Sequence, residues 1–312
     1  MKRMNKTCVD AGTVNCPCPL AETGDCLICS RLSGSDKCDC SWCGLCIYNE
    51  FIQNDKKVSN LRNDIKCRIA EKKWYGEDLL ILVLDVPRGT ALKAAAAGSF
   101  VFLNKCGERA FYNLPISVMK VDIQRAQLHL ALKVISAKSK NIAEADDFLM
   151  VRGIYRSGLL GGGLESVLKQ NNGHGTRKKE RWLMVTKGIG LAPAVNILDH
   201  AETKANIELV IDPEKLTKEF VDEVVSKEKI SEVIVMPLNE LPVYHAEDYD
   251  KVFILASDHY IDLLTAKINV PEHKLIYSNN FHMCCGEGIC GACCHVDENG
   301  VVKKMCKCRQ KE

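Results

Sequence analysis

Residues 181–203 read "RWLMVTKGIGLAPAVNILDHAET": an apolar run, a glycine turn and then a helical pattern. Downstream, "ANIELVID", "EVIVMPL" and "KVFILASD" are further apolar runs, and they alternate with helical stretches such as "PEKLTKEFVDEVVSKE". Strand and helix in strict alternation argue for a parallel sheet wrapped by helices. In such a sheet the turn after the first strand is where a phosphate can approach the backbone and a helix N-terminus. Gly188, Gly190, Ala192 and Pro193 of "GIGLAP" are therefore the candidate nucleotide contacts.

Upstream of Gly158 the pattern is different. "CRIAEKKWYGEDLLILVLDVP", "GSFVFLNKC", "LPISVMKVD", "AQLHLALKVISA" and "DDFLMVRG" are short segments rich in β-branched and large apolar residues, separated by polar turns. Their spacing predicts an antiparallel barrel with no long helix between its strands. The connecting stretch "LKQNNGHGTRKKER" reads as a solvated loop, in which His174 has no assigned role.

The 18 cysteines are unevenly spread: nine precede residue 50, seven follow residue 283, and only Cys67 and Cys106 lie between. The first residues carry Lys and Arg without an apolar segment behind them, so the sequence predicts a cytoplasmic chain whose thiols stay reduced. A length of 312 residues is enough to fold without disulfides. The cysteines are accordingly read as thiolates for metal. The 42 basic and 40 acidic residues leave a charge of +2, which excludes the strongly basic footprint of a nucleic-acid binder. The longest apolar run, "LLILVLDV", falls well short of the ~20 residues of a membrane span.

In the tail, Cys285, Cys290 and Cys293 have the spacing C-x4-C-x2-C, with Cys306 downstream. This is the plant-type ligand spacing of a [2Fe–2S] cluster. Gly286 and Gly288 would let the loop curl round a small cluster and aim amides at its sulfurs. Structural zinc more often shows two closely spaced pairs. Cys308 competes with Cys306 for the fourth position, and Cys284 and Cys294 are left over. At the other end, Cys16, Cys18, Cys26, Cys29, Cys38, Cys40, Cys43 and Cys46 would suffice for two four-coordinate sites. Cys26 and Cys29 with Cys43 and Cys46 read as a zinc ribbon; Cys38, Cys40, Cys43 and Cys46 alternatively form a nest for a [4Fe–4S] cluster. Both readings stay open, and Cys8 stands outside them.

Barrel, parallel sheet and a terminal "CGEGICGAC" together resemble the ferredoxin–NADP reductase superfamily over residues 60–308. Within it they are similar to the electron-transfer subunit of class B dihydroorotate dehydrogenases and to the small subunit of NADH-dependent ferredoxin:NADP oxidoreductases. The resemblance implies FAD on the barrel, a nicotinamide nucleotide at the sheet and a [2Fe–2S] cluster in the tail. "AGSFV" is similar to the family's "PGQFV", and "LPIS" to its Arg-Pro-x-Ser flavin motif, with Pro115, Ile116 and Ser117 in place and Leu114 where the arginine stands. The resemblance implies that Ser117 lies near the flavin's reactive nitrogen. "SAKSK" puts Ser139 and Lys140 at a second flavin contact. "RGIYRSG" is similar to "RGPYxNG", which implies flavin roles for Arg152, Gly153, Tyr155, Ser157 and Gly158. The family's "CGP" nicotinamide turn corresponds to "ASD" at residues 256–258, and Thr186 and Lys187 stand where a glycine pair usually precedes the phosphate turn.

The expected organisation is a Cys-rich metal-binding segment over residues 1–57, an FAD barrel over 58–158, an NAD(P)-binding-like α/β domain over 159–277 and a [2Fe–2S] domain over 278–312. No Ser-His-Asp or paired-carboxylate constellation suggests hydrolysis. The expected function is electron transfer between NAD(P)H or a partner, FAD and iron–sulfur centres. Substrate chemistry would lie on a catalytic oxidoreductase subunit, with ferredoxin a further expected partner. The alternatives are a relay with a vestigial nucleotide site and a non-catalytic zinc-binding assembly module.

Overall fold

In the computed structural model, residues 8–169, 179–200, 205–225 and 230–310 are described. His174 and most of its loop lie outside them. The N-terminal segment has two short helices, α1 (Pro19–Glu22) and α2 (Ile47–Gln53). Six strands follow: β1 (Asp64–Tyr75), β2 (Leu79–Asp85), β3 (Phe100–Lys105), β4 (Leu114–Asp122), β5 (Gln127–Lys133) and β6 (Phe148–Tyr155). They close into an antiparallel barrel in the order β1-β2-β5-β4-β3-β6. Two seven-residue helices, α3 (Arg88–Ala94) and α4 (Ala137–Ala143), link its strands. The small run "KAAAAG" thus completes a helix before β3 begins.

Strand β2 shows why the barrel segments lack a clean polar alternation. Leu80, Leu82 and Leu84 point into the barrel with Leu128, Leu130, Val101 and Val151. Leu79 and Ile81 face the other way, into a second core shared with Met184, Leu209 and Phe253. Both faces of the strand are buried, so both are apolar. Each fully buried leucine contributes about 1.5–3 kcal/mol, which ties barrel and sheet into one unit.

The second sheet contains β7 (Leu159–Leu160), β8 (Glu180–Lys187), β9 (Ala205–Asp212), β10 (Glu232–Val235), β11 (Lys251–Leu255) and β12 (Leu275–Ser278). Its order is β10-β9-β8-β11-β12-β7. Helices α5 (Leu164–Lys169), α6 (Leu191–His200), α7 (Lys218–Val224) and α8 (Asp258–Ile268) alternate with the strands. Strands β8 to β12 pair in parallel, whereas β7 is antiparallel to β12. The sheet is therefore mixed, not purely parallel as the alternation suggested: two residues just after the barrel strand β6 cap its edge, too short to carry a periodic signal.

By its internal contacts the chain divides into two compact units, Asp64–Asn280 and a second one built from both chain ends, residues up to Asn63 and from Phe281 onward. The second unit includes the hairpin β13 (Cys294–Val296) and β14 (Val302–Lys304). Its N-terminal apolar core is small: Ala21, Cys29, Leu32, Ile47 and Phe51. A buried charge network joins the two ends. Arg62 meets Asp10 at 2.6 Å and Glu287 at 3.2 Å, and the Lys307 ammonium meets both carboxylates at 2.7 Å. Two cations against two anions leave the group neutral, the condition under which buried charge is tolerated. Burial pushes the Asp10 carboxyl upward, but Lys307 and Arg62 outweigh it and hold it below the usual carboxylate range. Burial likewise opposes charge on Lys307, and Asp10 and Glu287 overcome it, so its value is raised.

Candidate functional site

Chain topology selects the first place to look. Strand β8 lies between β9 and β11, and the connections run outward from it in both directions, which is the switch point where open α/β sheets bind ligands. Gly188–Gly190 form a 3-10 turn there and lead into α6, with Ala192 buried and Pro193 half-buried in its first turn. A side chain on Gly190 would collide with the Leu255 carbonyl of β11, so the two loops meet at this glycine. The surroundings are acidic. Asp212 accepts from Lys187 at 2.7 Å and from the amides of Leu238 and Glu214, each at 3.0 Å. Burial raises the Asp212 carboxyl, and the Lys187 pair and those amides outweigh it, leaving it lowered. The Glu214 carboxylate stands where a Gly188 side chain would project. Asp258 accepts from the Asn280 amide at 3.1 Å. Asp212 was missed in the sequence although it ends β9, the strand that follows the glycine turn and its helix, the usual position of a ribose-binding acid some 20 residues after such a turn.

The candidate flavin residues gather on β3, β4 and β6. Pro115, Ile116 and Ser117 pair with Phe102, Val101 and Phe100. Tyr155 is buried, stacked on Phe100 at 5.1 Å and edge-on to Phe102 at 5.2 Å. The Arg152 guanidinium lies 5.2 Å from the Phe102 ring centroid. Its Nε is buried with no hydrogen-bond partner among the described residues, and the same holds for Ser99 Oγ just before β3. Leaving such groups unsatisfied costs about 1–3 kcal/mol each. Each is a donor of the kind that the phosphate or carbonyl oxygens of a flavin nucleotide accept from, and in that respect the barrel strands fit the group. Gly153 bears a φ of +141°, and the Gly158 amide donates to the Gly98 carbonyl at 3.0 Å. Ser157 is buried, and its carbonyl accepts from the Asn279 side chain at 2.6 Å. Ser139 instead serves its own helix. Its hydroxyl accepts from the Ser136 amide at 2.9 Å and donates to the Ser136 carbonyl at 3.0 Å, closing a capping box on α4. Lys140 is exposed on the same helix.

In the tail, Cys285, Cys290, Cys293 and Cys306 are brought together as two pairs. Cys285 and Cys290 share a thiol hydrogen bond, as do Cys293 and Cys306. The Glu287 amide donates to Cys285 Sγ at 3.3 Å, and the Cys306 amide to Cys293 Sγ at 3.4 Å. The thiol bond from Cys306 draws Cys293 down to about 6 and pushes Cys306 up. Gly288 has a φ of +79°, and a side chain there would press on Leu20 and Lys304. Cys308 is buried two residues on, and burial pushes its thiol up to about 11. Cys284 and Cys294 are exposed.

The N-terminal cysteines separate into two groups. Cys16, Cys18 and Cys26 line a shared cavity, which Cys8 also lines. Burial pushes Cys16 up to about 12 and raises Cys18 as well. The buried Cys29 donates its amide to Cys26 Sγ at 3.3 Å. Cys38, Cys40, Cys43 and Cys46 are exposed. Among the described residues no three His, Cys, Asp or Glu side chains are grouped as ligands of a single metal ion. Among the same residues no helix is long and apolar enough to cross a membrane.

No family model matches the chain, and no curated protein matches it. Solved structures do. An NADH-dependent reduced ferredoxin-NADP oxidoreductase, described for flavin-based electron bifurcation, superposes with a TM-score of 0.55 at 18% identity over 77% of this chain and 85% of its own. The ferredoxin reductase of carbazole 1,9a-dioxygenase gives 0.51 at 15% identity over 72% and 71%. A type IV self-sufficient cytochrome P450 monooxygenase gives 0.53 at 16% identity over 78% of this chain and 39% of its own. Barrel, switch-point sheet and these superpositions together give the chain the fold of the ferredoxin and flavoprotein reductases.

Proposed function

We propose that the chain is the iron–sulfur flavoprotein subunit of a multi-subunit oxidoreductase, passing electrons between NAD(P)H or a partner, FAD and iron–sulfur centres. The observation that carries this reading is the pairing of Cys285 with Cys290 and Cys293 with Cys306 on a chain with a reductase fold. A [2Fe–2S] cluster has two irons, each with two protein thiolates, and two adjacent thiol pairs match that demand. A cluster spreads its thiolates over more than one metal, so the lack of a single-ion group does not oppose it. The N-terminal cysteines would hold a second centre, [4Fe–4S] or zinc.

FAD, when bound, would accept a hydride and give up electrons singly. Arg152 and Ser99 would donate to its oxygens, with Pro115, Ile116 and Ser117 forming the adjoining strand. Tyr155, packed on Phe100 and Phe102, would hold that surface rigid and dry. In the tail, the Glu287 and Cys306 amides would stabilise thiolate charge on Cys285 and Cys293. The organic substrate would be handled by a catalytic partner subunit in the cytoplasm, with ferredoxin a further partner. Purified full-length protein tests this by flavin, iron and acid-labile sulfide content. Flavin with at least two irons per chain supports it, and zinc without flavin would favour the assembly module.

A second reading concerns the electron source. Asp212 is fully engaged by Lys187 and two amides, and Glu214 occupies the face of Gly188. A pyridine nucleotide would have to displace these groups and bring phosphate up to carboxylates. This favours a relay charged by its partner, with a vestigial nucleotide site. Bleaching of the flavin by NADH or NADPH would exclude it.

A further inference from the structure

Two of the four charges that join the chain ends sit beside the tail cysteines. Glu287 lies in the loop between Cys285 and Cys290 and donates its amide to Cys285 Sγ, while Lys307 directly follows Cys306, whose amide donates to Cys293 Sγ. The Lys307–Glu287 ion pair at 2.7 Å therefore ties one pair of thiols to the other. The other two charges come from the N-terminal segment. Arg62 grips Asp10 with both Nη atoms, at 2.6 and 3.2 Å, and its Nη1 also reaches Glu287 at 3.2 Å; Asp10 in turn meets Lys307 at 2.7 Å. The four contacts close a ring of alternating sign, in which the side chains of Asp10, Arg62 and Lys307 are buried. The planar guanidinium fork fixes geometry as well as charge. Other contacts join the same two stretches: the Val9 amide donates to the Lys307 carbonyl at 2.9 Å, and Leu20 of α1 fills the space that a side chain on Gly288 would need.

We infer that Asp10 and Arg62 are positioning residues for the tail electron-transfer site: through the ring, the N-terminal segment holds the Cys285–Cys290 loop against Cys293 and Cys306 and sets the charge around them. The inference rests on the [2Fe–2S] reading of those four cysteines, and it gives the N-terminal segment a role that requires none of its own cysteines. Groups outside a ligand shell orient the ligands, and charge near a cluster shifts its reduction potential. A nearby cation favours the electron-richer state and an anion opposes it. Arg62 and Asp10 therefore act in opposite directions on the potential and in the same direction on how firmly the iron is held.

The test uses full-length protein purified without oxygen. Iron and sulfide are counted per chain, iron release to a chelator is timed, and the midpoint potential is read by dithionite titration with electron paramagnetic resonance of the reduced centre. Arg62→Gln is expected to lower the potential and Asp10→Asn to raise it, and both are expected to speed iron release by about 10- to 100-fold. Arg62→Lys keeps the charge and loses the fork, so it should speed release and leave the potential near that of the wild type. Asp25→Asn is the control: it breaks an exposed contact with Lys304 between the same two segments and should change neither quantity. Potentials that move the same way in Arg62→Gln and Asp10→Asn overturn the assignment, as do wild-type release rates in both or an equal effect of Asp25→Asn. Should Arg62→Gln fail to fold, Asp10→Asn and Arg62→Lys decide: a raised potential in the first with an unmoved one in the second supports the assignment, and any other pattern overturns it. If Cys290→Ser loses iron while the ring variants behave as the wild type, the cluster reading stands and the positioning role fails. If the wild type holds no iron that Cys290→Ser removes, the cluster reading fails and this inference with it.

Discussion

Replacing Lys307 by methionine removes one cation from a buried network and leaves Asp10 and Glu287 facing Arg62 without it. The side chains of Lys307, Asp10 and Arg62 are 0%, 4% and 4% exposed, so water cannot take over the lost interactions. Breaking such a pair by deleting one partner costs about 3–5 kcal/mol. At about 1.4 kcal/mol per tenfold, the opening equilibrium of the unit formed by the chain ends should rise by roughly 10²- to 10³-fold or more. Hydrogen exchange read by mass spectrometry on the full chain measures this directly, because peptides from residues 8–63 and 281–308 report on that unit and those from 64–280 do not. Lys307→Met with Asp10→Asn should cost less than the sum of the two single changes, since the remaining charges balance again. Lys73→Met is the control: its pair with Glu223 is 40% and 49% exposed, and its loss should shift stability by less than about 1 kcal/mol. A Lys307→Met effect as small as that control, or additivity in the double variant, would refute the reasoning.

Three further outcomes follow from the same geometry. Arg152→Gln should weaken flavin binding by about 10- to 100-fold, the worth of a charge-assisted hydrogen bond of about 1.5–3 kcal/mol, with little change in melting temperature; titration of the flavin-free protein with FAD checks this. Gly190→Ala should destabilise the unit of Asp64–Asn280 by at least about 1–3 kcal/mol, because its methyl group meets the Leu255 carbonyl, and denaturant melts read the loss. The pH dependence has a definite sign. Asp10 is lowered in the folded chain, so its contribution is complete above the ordinary carboxylate value of about 3.9 and is lost as pH falls through its folded value; Lys307 is raised, so its contribution is complete below about 10.4 and is lost as pH rises beyond. Stability of the chain-end unit measured from pH 2 to 11 should therefore form a plateau that falls in acid.

Barrel and sheet were legible in the sequence because their signals are local. Runs such as "WLMV" of β8, buried on both faces, can only be interior strands, and a glycine turn followed by a helical pattern fixes the direction of the next connection. The antiparallel edge β7 was not legible, since two leucines carry no period. The neighbourhood of the tail cysteines was readable from spacing because Cys285, Cys290 and Cys293 lie in one loop and Cys306 just after a hairpin, whereas the position of Cys8 was not. What places Cys8 beside Cys18 is long-range: the Val9 bond to Lys307 and the clamp of Arg62 and Lys307 on Asp10 join residues almost 300 positions apart in the chain. The capping role of Ser139 was hidden for the opposite reason. A serine at a family position looks the same whether it faces a ligand or closes its own helix.

The most direct test of the central claim is an anaerobic visible spectrum of the purified full-length chain, with flavin, iron, sulfide and zinc quantified, before and after dithionite. The account predicts stoichiometric flavin and an iron–sulfur absorbance that bleaches on reduction, with iron content dropping in Cys290→Ser. A colourless protein with neither flavin nor iron would contradict it.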